Sequence, residues 1–200
     1  VFRDYFGSKI FKPPKENFMT PQVHVIKSDV RFMDGARIPW ANRVTSLAND
    51  EEYKHMIAML SSFYAAKGHK VLVVSDRVNF LKSCSALVGE TAICVTGEVP
   101  HEERETLLDQ INYGNKNILF GTQAIFSEGI SVNSLSVLIL GTPINNEPLL
   151  TQLIGRVIRE KEGKRDPVIV DIHLKGNTAR KQASNRMGYY IKQGWKITQT

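Results

Sequence analysis

Residues 151–164 read TQLIGRVIREKEGK, and their spacing predicts a helix with two different faces, running from Glu147 to Glu160. Apolar residues recur at helical spacing and would pack on a core: Leu150, Leu153, Ile154, Val157 and Ile158. A second set at i, i+3, i+4 and i+7 lines another side of the same helix: Gln152, Gly155, Arg156 and Arg159.

This second face suits a triphosphate lying along the helix. A guanidinium group is always charged, and its rigid fork of donors matches phosphate oxygens. Gly155 would let a bulky group approach the backbone between Gln152 and Arg156. The alternative is a solvated basic face with a tolerated glycine, which two arginines on a helix do not exclude by themselves.

Around this helix, apolar runs alternate with helical patterns. Strands are predicted at residues 22–27, 70–75, 91–95, 117–120, 136–140 and 167–172, with a short edge strand at 195–197. Helices are predicted from Asn49 or Asp50 to Ala66, over 77–88, from Pro100 to Gly114 and over 179–193, whereas 28–47 reads as irregular. Near-continuous apolar strands alternating with helices predict an α/β fold with a mostly parallel sheet covered on both faces.

The apolar positions also predict which side of each helix faces the core. In the helix ending at Ala66 the predicted inward residues are Met56, Met59, Leu60, Phe63 and Tyr64. In the helix over 77–88 they are Phe80, Leu81, Cys84 and Leu87.

Composition limits the classes of partner and site. The chain has 200 residues, a net charge of +6 and a pI near 9.3, which fits a polyanionic partner such as nucleic acid. Cys84 and Cys94 read as buried thiols, and the absence of a long apolar run predicts a soluble intracellular protein. The histidines fall on different predicted elements, so a metal site is not expected.

Three loops at the carboxyl ends of predicted strands are rich in small and polar residues. They read Ser75-Asp76-Arg77, Thr96-Gly97-Glu98 and Gly121-Thr122-Gln123. Loops after parallel strands share one sheet edge, where backbone N–H groups and hydroxyls could hold successive phosphates of a strand. Each loop alone is equally compatible with ordinary turn and cap chemistry.

Two segments resemble motifs of a known family. Residues 121–130, GTQAIFSEGI, resemble motif V of the superfamily 2 helicases, and residues 152–159, QLIGRVIR, are similar to their motif VI, QxxGRxxR. KVLVVS at 70–75 and Thr96-Gly97 are similar to the regions of earlier motifs, and the resemblance covers roughly 22–174 in the family's order. Its details are most similar to branch-migration and annealing helicases of large phages and to related helicases of large DNA viruses.

The resemblance implies a role for each matching residue in a RecA-like second domain. Arg159, and with it Arg156, would be arginine fingers that reach ATP on a partner domain, and Gln152 would contact the phosphates or their water. Three residues would couple strand binding to the ATP cleft: Glu128, Gly129 and Gly155. The backbone of the tracked strand would be held by Gly121 and Thr122, with further contacts from Ser75, Arg77, Thr96 and Gly97.

Some family features are missing from the sequence. Ser131 stands where many members have an aspartate, and a hydroxyl cannot make the same charged link to the arginines, so we assign Ser131 no catalytic role. No stretch fits the phosphate loop GxxxxGK followed by Ser or Thr, and Asp50-Glu51-Glu52 reads as a helix cap. ATP and Mg²⁺ would therefore be held mainly by a first RecA-like domain preceding Val1, with none bound by this chain alone.

We therefore expect residues 1–21 to form a linker arm and 22–200 to form the C-terminal motor domain of an ATP-dependent helicase or translocase. Its partners would be the first domain and single-stranded or branched DNA, with RNA left open, and the chain alone would not hydrolyse ATP.

The final segment is basic and reads as a solvated helix or as a duplex contact. Its basic residues are Lys175, Arg180, Lys181, Arg186, Lys192 and Lys196. The alternative function is a non-catalytic nucleic-acid-binding or protein-binding module of the same fold; a small-molecule enzyme lacks any nucleophile or cofactor motif.

Overall fold

The computed structural model describes residues 17–35, 37–126 and 131–199. In these residues every strand pairs in parallel within one seven-stranded sheet of order β3-β4-β2-β5-β6-β1-β7. The strands are β1 (Gln22–Arg31), β2 (Lys70–Val74), β3 (Ala92–Val95), β4 (Ile118–Gly121), β5 (Leu135–Leu140), β6 (Val168–Lys175) and β7 (Ile197–Gln199). The helices are α1 (Trp40–Ala48), α2 (Glu51–Ala66), α3 (Val78–Val88), α4 (His101–Asn112), α5 (Glu147–Val157) and α6 (Asn177–Gln193).

The sheet is covered on both faces, as the apolar runs predict. All six residues of β5 are buried, since this strand lies at the centre of the sheet and side chains on both its faces meet helices. One core cluster joins the sheet to α4, α5 and the end of α6, and a second joins its other face to α1, α2 and α3. The α/β prediction is therefore confirmed as a three-layer arrangement.

Residues 28–47, predicted to be irregular, are partly regular. Strand β1 continues to Arg31 through a shift in its register against β6, because Val30 is buried and belongs to the core. Helix α1 follows and buries Val44 and Leu47, but no side chain caps its first turn. A nine-residue helix without a cap gives a weak sequence signal, so the prediction was wrong here.

Two predicted helix faces were also wrong in part. Met59 and Phe63 of α2 are 66% and 52% exposed, and Leu87 of α3 is 44% exposed. The rotation of α2 is set by Tyr53, whose hydroxyl donates to the Gly141 carbonyl at 2.7 Å. With Tyr53 fully buried, the inward stripe continues through residues such as Ile57 and leaves Met59 in solvent.

The start of α2 confirms the predicted cap. The Asp50 carboxylate accepts a hydrogen bond from the Tyr53 N–H at 2.8 Å, and Glu51 and Glu52 occupy the first turn. None of the described helices, of which the longest has 17 residues, is both long and apolar enough to cross a bilayer.

A buried charged network fastens α6 to the sheet. Asp171 of β6 is fully buried and accepts hydrogen bonds from Arg186 Nε at 2.8 Å and Nη2 at 2.9 Å and from the Tyr190 hydroxyl at 2.6 Å. Burial by itself would raise the pKa of Asp171, but the nearby His173 ring, whose Nε2 lies 3.3 Å from Oδ1, the charge and hydrogen bonds of Arg186, and the hydrogen bond from Tyr190 lower it to about 2. Arg186 is thus part of the core, and the prediction that placed it on a solvated or duplex-binding basic face was wrong.

We expect Asp171→Ala to lower the free energy of unfolding by about 3–5 kcal/mol, because Arg186 would stay buried without its counter-charge. Asp29→Ala is the matched control: it removes an exposed pair with Lys175 at 3.0 Å and should cost less than about 1 kcal/mol. Urea denaturation of both variants checks the difference, and equal small losses would contradict the role given to Asp171.

The same network predicts an acid-sensitive contribution to stability. Folding lowers the pKa of Asp171 from 3.8 to about 2. The ionised carboxylate therefore contributes its full share of the free energy of unfolding above about pH 4, and this share is lost as the pH falls from 3.8 to about 2. Denaturation curves of the parent and Asp171→Asn proteins should therefore converge as the pH approaches about 2.

Candidate functional site at the carboxyl edge of the sheet

Helix α5 presents the residues singled out in the sequence. The Asn146 side chain caps it by accepting from the Leu149 N–H at 3.0 Å. Four residues of its predicted apolar face are buried, Leu150, Leu153, Ile154 and Val157, whereas the fifth, Ile158, is half-buried and follows the helix as its C-cap. On its other side Gln152 is exposed, and Gly155 and Arg156 are half-buried.

Arg159 does not lie on this helix, so the prediction of a helix to Glu160 was wrong. The helix ends at Val157, Ile158 is its C-cap, and in the segment 158–160 Arg159 forms an isolated antiparallel bridge with Phe18. Residues 17–19 pair with that segment: Met19 N–H donates to the Ile158 carbonyl at 2.7 Å, and Glu160 N–H donates to the Asn17 carbonyl at 3.0 Å. This antiparallel pairing competes successfully with further helical turns, and local periodicity cannot reveal it.

The two arginines nevertheless converge on one segment. Arg156 Nη2 donates to the Phe126 carbonyl at 3.0 Å, and its guanidinium carbon lies 5.1 Å from the Phe126 ring centroid. Arg159 Nη1 donates to Ser131 Oγ at 3.2 Å. The roles predicted for Glu128 and Gly129 fall on residues 127–130, which lie between these two anchors and outside the described residues.

Ser131 contacts one of the two arginines, although it stands where many family members have an aspartate. A hydroxyl cannot form the charged link that an aspartate would form with the arginines, yet Ser131 still accepts a hydrogen bond from Arg159. The contact is neutral on the serine side, so it orients the guanidinium without cancelling its charge.

Positive charge therefore accumulates at the end of α5. Within residues 17–35, 37–126 and 131–199, no carboxylate forms an ion pair with Arg156 or Arg159. Burial, and then the nearby charge of Arg159, lower the pKa of Arg156; burial, Lys161 and Arg159 lower the pKa of Lys164 to about 8. Partly desolvated cations that repel each other are complementary to a bound anion.

Gly155 faces open space in the described structure. A Cβ built on this residue would have no described atom within 4 Å outside its own helix. Glycine in a helix interior costs roughly 0.5–1 kcal/mol relative to alanine, so packing within the described residues gives no reason for it. A requirement for glycine at this position would come from a group that approaches α5 from outside.

A row of hydroxyl side chains follows four neighbouring strands, β3, β4, β2 and β5. In that spatial order the residues are Thr96, Thr122, Ser75 and Thr142, and all four are at least nine-tenths buried. Thr142 was missed in the sequence, although Gly141-Thr142 follows a predicted strand just as Gly121-Thr122 does. Parallel pairing brings these exits to one level, because Gly121 is opposite both Val74 and Val95.

The hydroxyls of the row differ in their hydrogen bonding. Ser75 Oγ lies 2.9 Å from Thr142 Oγ1 and accepts from the Arg77 N–H at 3.0 Å. Thr96 Oγ1 accepts from the Glu98 N–H at 3.4 Å. Thr122 Oγ1 is buried and has no hydrogen-bond partner among the described residues. A buried hydroxyl without a partner is uncommon, which makes Thr122 the member of the row most in need of an external acceptor.

The other predicted strand contacts have structural partners. Arg77 Nη2 donates to the Ala41 carbonyl at 3.0 Å and so ties α1 to the exit of β2. A Cβ on Gly121 would lie 2.7 Å from the flexible end of Ile125 and 3.4 Å from the Val95 carbonyl oxygen, so a small shift of the Ile125 side chain would make room for it. Gly97 is exposed, and its carbonyl accepts from Arg104 Nη2 at 3.4 Å.

Metal-ligating side chains are scattered over the described part of the chain. In the described ranges no three side chains of His, Cys, Asp or Glu are grouped so that they could hold a metal ion.

Comparison with known proteins places these features in a family context. Residues 51–161 match the model of the helicase conserved C-terminal domain. The chain is 43% identical over 204 residues to "Probable helicase D10" of Escherichia phage T5, covering 100% of this chain and 45% of that protein. It is 26% identical over 146 residues to the ATP-dependent DNA helicase uvsW of Enterobacteria phage T4, covering 69% of this chain and 29% of that protein.

The helicase of phage T4 is also similar in fold. The crystal structure of T4 UvsW superposes with a TM-score of 0.72 at 20% identity, covering 90% of this chain and 41% of that chain. The chain thus spans less than half the length of each of these relatives.

The difference between two hydroxyls of the row gives a test of the site geometry. Thr122→Val should leave the free energy of unfolding nearly unchanged, since it removes a buried hydroxyl that has no partner within the described chain. Thr142→Val is the matched control and should destabilise the fold by roughly 1–3 kcal/mol, because it breaks the contact with Ser75. Urea denaturation distinguishes them, and a larger loss for Thr122→Val would contradict the assigned hydrogen bonding.

Proposed function

The chain belongs to the helicase conserved C-terminal domain family, and from that premise we propose that it is the second RecA-like motor domain of an ATP-dependent helicase that moves on DNA. The family match confirms the resemblance predicted from residues 121–130 and 152–159. In this proposal the domain supplies arginine fingers to a nucleotide and holds the backbone of the tracked strand.

The nucleotide role is supported by the end of α5. Arg156 and Arg159 carry charge that no described carboxylate cancels, and both are oriented by hydrogen bonds to oxygens of their own domain. A preorganised pair of guanidiniums is suited to the γ-phosphate of ATP, whose charge grows on transfer to water. The phosphate-binding loop and the carboxylate for Mg²⁺ would belong to a first RecA-like domain, joined through the arm of residues 1–21.

The strand role is supported by the hydroxyl row at the exits of β3, β4, β2 and β5. Hydroxyls and backbone N–H groups at this edge would contact phosphates and so hold a strand without reading its sequence. Thr122 supports this role most directly, since its hydroxyl lacks a partner among the described residues and would be left to donate to a phosphate that displaces its cover. The net charge of +6 favours a polyanion in addition.

The two roles are joined by a short piece of backbone. Thr122 is followed directly by a 3₁₀ turn, Gln123–Phe126, and the Phe126 carbonyl accepts the hydrogen bond from Arg156. A shift of the guanidinium on ATP binding would therefore move the turn that carries the strand contact. A non-catalytic binding module would have no use for this connection, so the motor is the function we favour.

Arg159→Ala, tested in the protein that carries both RecA-like domains, should lower ATP hydrolysis by about 10³-fold or more while ATP still binds, because arginine fingers act on the transition state. Lys161→Ala is the control, since it removes a nearby positive charge that contacts Tyr113 instead of the segment next to Ser131. Hydrolysis rates and binding of a fluorescent ATP analogue separate the two effects. Near-normal turnover by Arg159→Ala would remove Arg159 from the proposed role.

Binding to single-stranded DNA should be independent of sequence and weakened by salt. The hydroxyls and backbone N–H groups of the row are uncharged and release no counterions, so the salt dependence would come from Lys and Arg side chains near the strand. Fluorescence anisotropy of labelled oligonucleotides of different sequence, at several salt concentrations, measures both properties. An affinity set by base sequence would contradict a grip on the backbone.

A further inference from the structure

A cleft opens next to the hydroxyl row, between α1, the exits of β2 and β5, and α6. It has a volume of about 420 Å³, and its lining includes Trp40, Ser75, Asp76, Thr142 and Gln182. Ser75 and Thr142 belong both to this cleft and to the row, so a group in the cleft would be next to a strand lying on the row.

Trp40 supplies a fixed aromatic surface to the cleft. The indole is 38% exposed, yet it is held in place by Phe32, whose ring centroid lies 5.2 Å away, and by the Arg43 guanidinium at 5.3 Å. An exposed aromatic side chain by itself is ordinary on a protein surface. Its position in a cleft at the carboxyl edge is what makes it available for stacking.

Gln182 of α6 is the second, independent observation. Its side chain lines the cleft and is only 7% exposed, and its Oε1 has no hydrogen-bond partner within the described residues. Buried amide oxygens are nearly always paired with protein or ordered water, so this atom can accept from a donor that the described residues do not supply. Asp76 is the charged residue in the lining, and Arg77 Nη1 lies 3.8 Å from its carboxylate; the rest of the lining is uncharged and suits a flat, uncharged, hydrogen-bonding occupant.

We propose that this cleft receives one nucleobase of the bound strand, stacked on Trp40 and hydrogen-bonded through an amino group to Gln182. The proposal rests on the proposed function, because the hydroxyl row would hold the phosphates on either side of that base. Stacking on an aromatic ring tolerates any base, since each has a π-face, and it would keep the grip compatible with movement along a strand. The hydroxyl row thus contacts the sugar-phosphate backbone of the strand, and the cleft holds one of its bases.

The first experiment uses Trp195→Phe, which leaves Trp40 as the remaining one of the chain's two tryptophans. Titration with an oligocytidine DNA should quench Trp40 fluorescence, whereas an abasic sugar-phosphate strand of the same length should bind without quenching. Binding is followed in parallel by anisotropy. Binding of both strands with no quenching by either would overturn the cleft assignment and leave the proposed function standing.

The second experiment compares affinities. Trp40→Ala should weaken oligocytidine binding about tenfold and leave abasic binding unchanged, as expected for the loss of one base–aromatic stack. Gln182→Met should weaken oligocytidine binding several-fold without lowering the thermal midpoint, because it removes an acceptor that no described donor uses. Ser184→Ala, at an exposed position of the same helix, is the control and should have no effect.

These outcomes separate the two proposals. Parent-like oligocytidine affinity in both Trp40→Ala and Gln182→Met would overturn the nucleobase assignment. Failure of the parent chain to bind either strand would contradict the proposed function and the cleft assignment together. If Trp40→Ala does not fold, the quenching experiment still decides the proposal, since it keeps Trp40 in place.

Discussion

The direction of the strands is the constraint on which the rest of the structure depends. Because all seven strands of the described sheet are parallel, every one of them ends at the same edge. Val74 lies opposite both Gly121 and Leu140, so the exits of β2, β4 and β5 start from one level. A single edge thereby gathers the hydroxyl row, the cleft beside Trp40 and the turn that meets Arg156. In an antiparallel sheet the same residues would be divided between two opposite edges.

The second feature of this edge is mechanical continuity. Arg156 is fixed to the Phe126 carbonyl, and only a 3₁₀ turn separates Phe126 from Thr122. Ile125 of that turn packs over Gly121, where a Cβ would lie 2.7 Å from the Ile125 Cδ1 atom. In the motor proposed above, a change at the guanidinium would be passed through this turn to Thr122.

The features that could be predicted from the sequence are those whose decisive interactions are local or periodic. The buried strands and the Asp50 cap follow from apolar runs and from a carboxylate placed three residues before its donor. Prediction failed where the local structure depends on a segment far away in the sequence. Arg159 lies outside the helix because residues 17–19 pair with the segment that contains it. Arg186 is buried because it forms an ion pair with Asp171. Thr142 follows a predicted strand as the other three hydroxyl residues do, so the sequence pattern applied to it as well. Its hydrogen bond with Ser75, however, joins residues far apart in the sequence and is seen only in the structure.

The most direct test of the account is the map of backbone amide chemical shifts on adding a single-stranded oligonucleotide. We predict that the largest changes fall in residues 75–77, 96–98, 121–123 and 141–143, which all follow strands at the carboxyl edge. Changes concentrated at the opposite edge, in residues 67–69, 89–91 and 114–117, with the carboxyl edge unaffected, would contradict it.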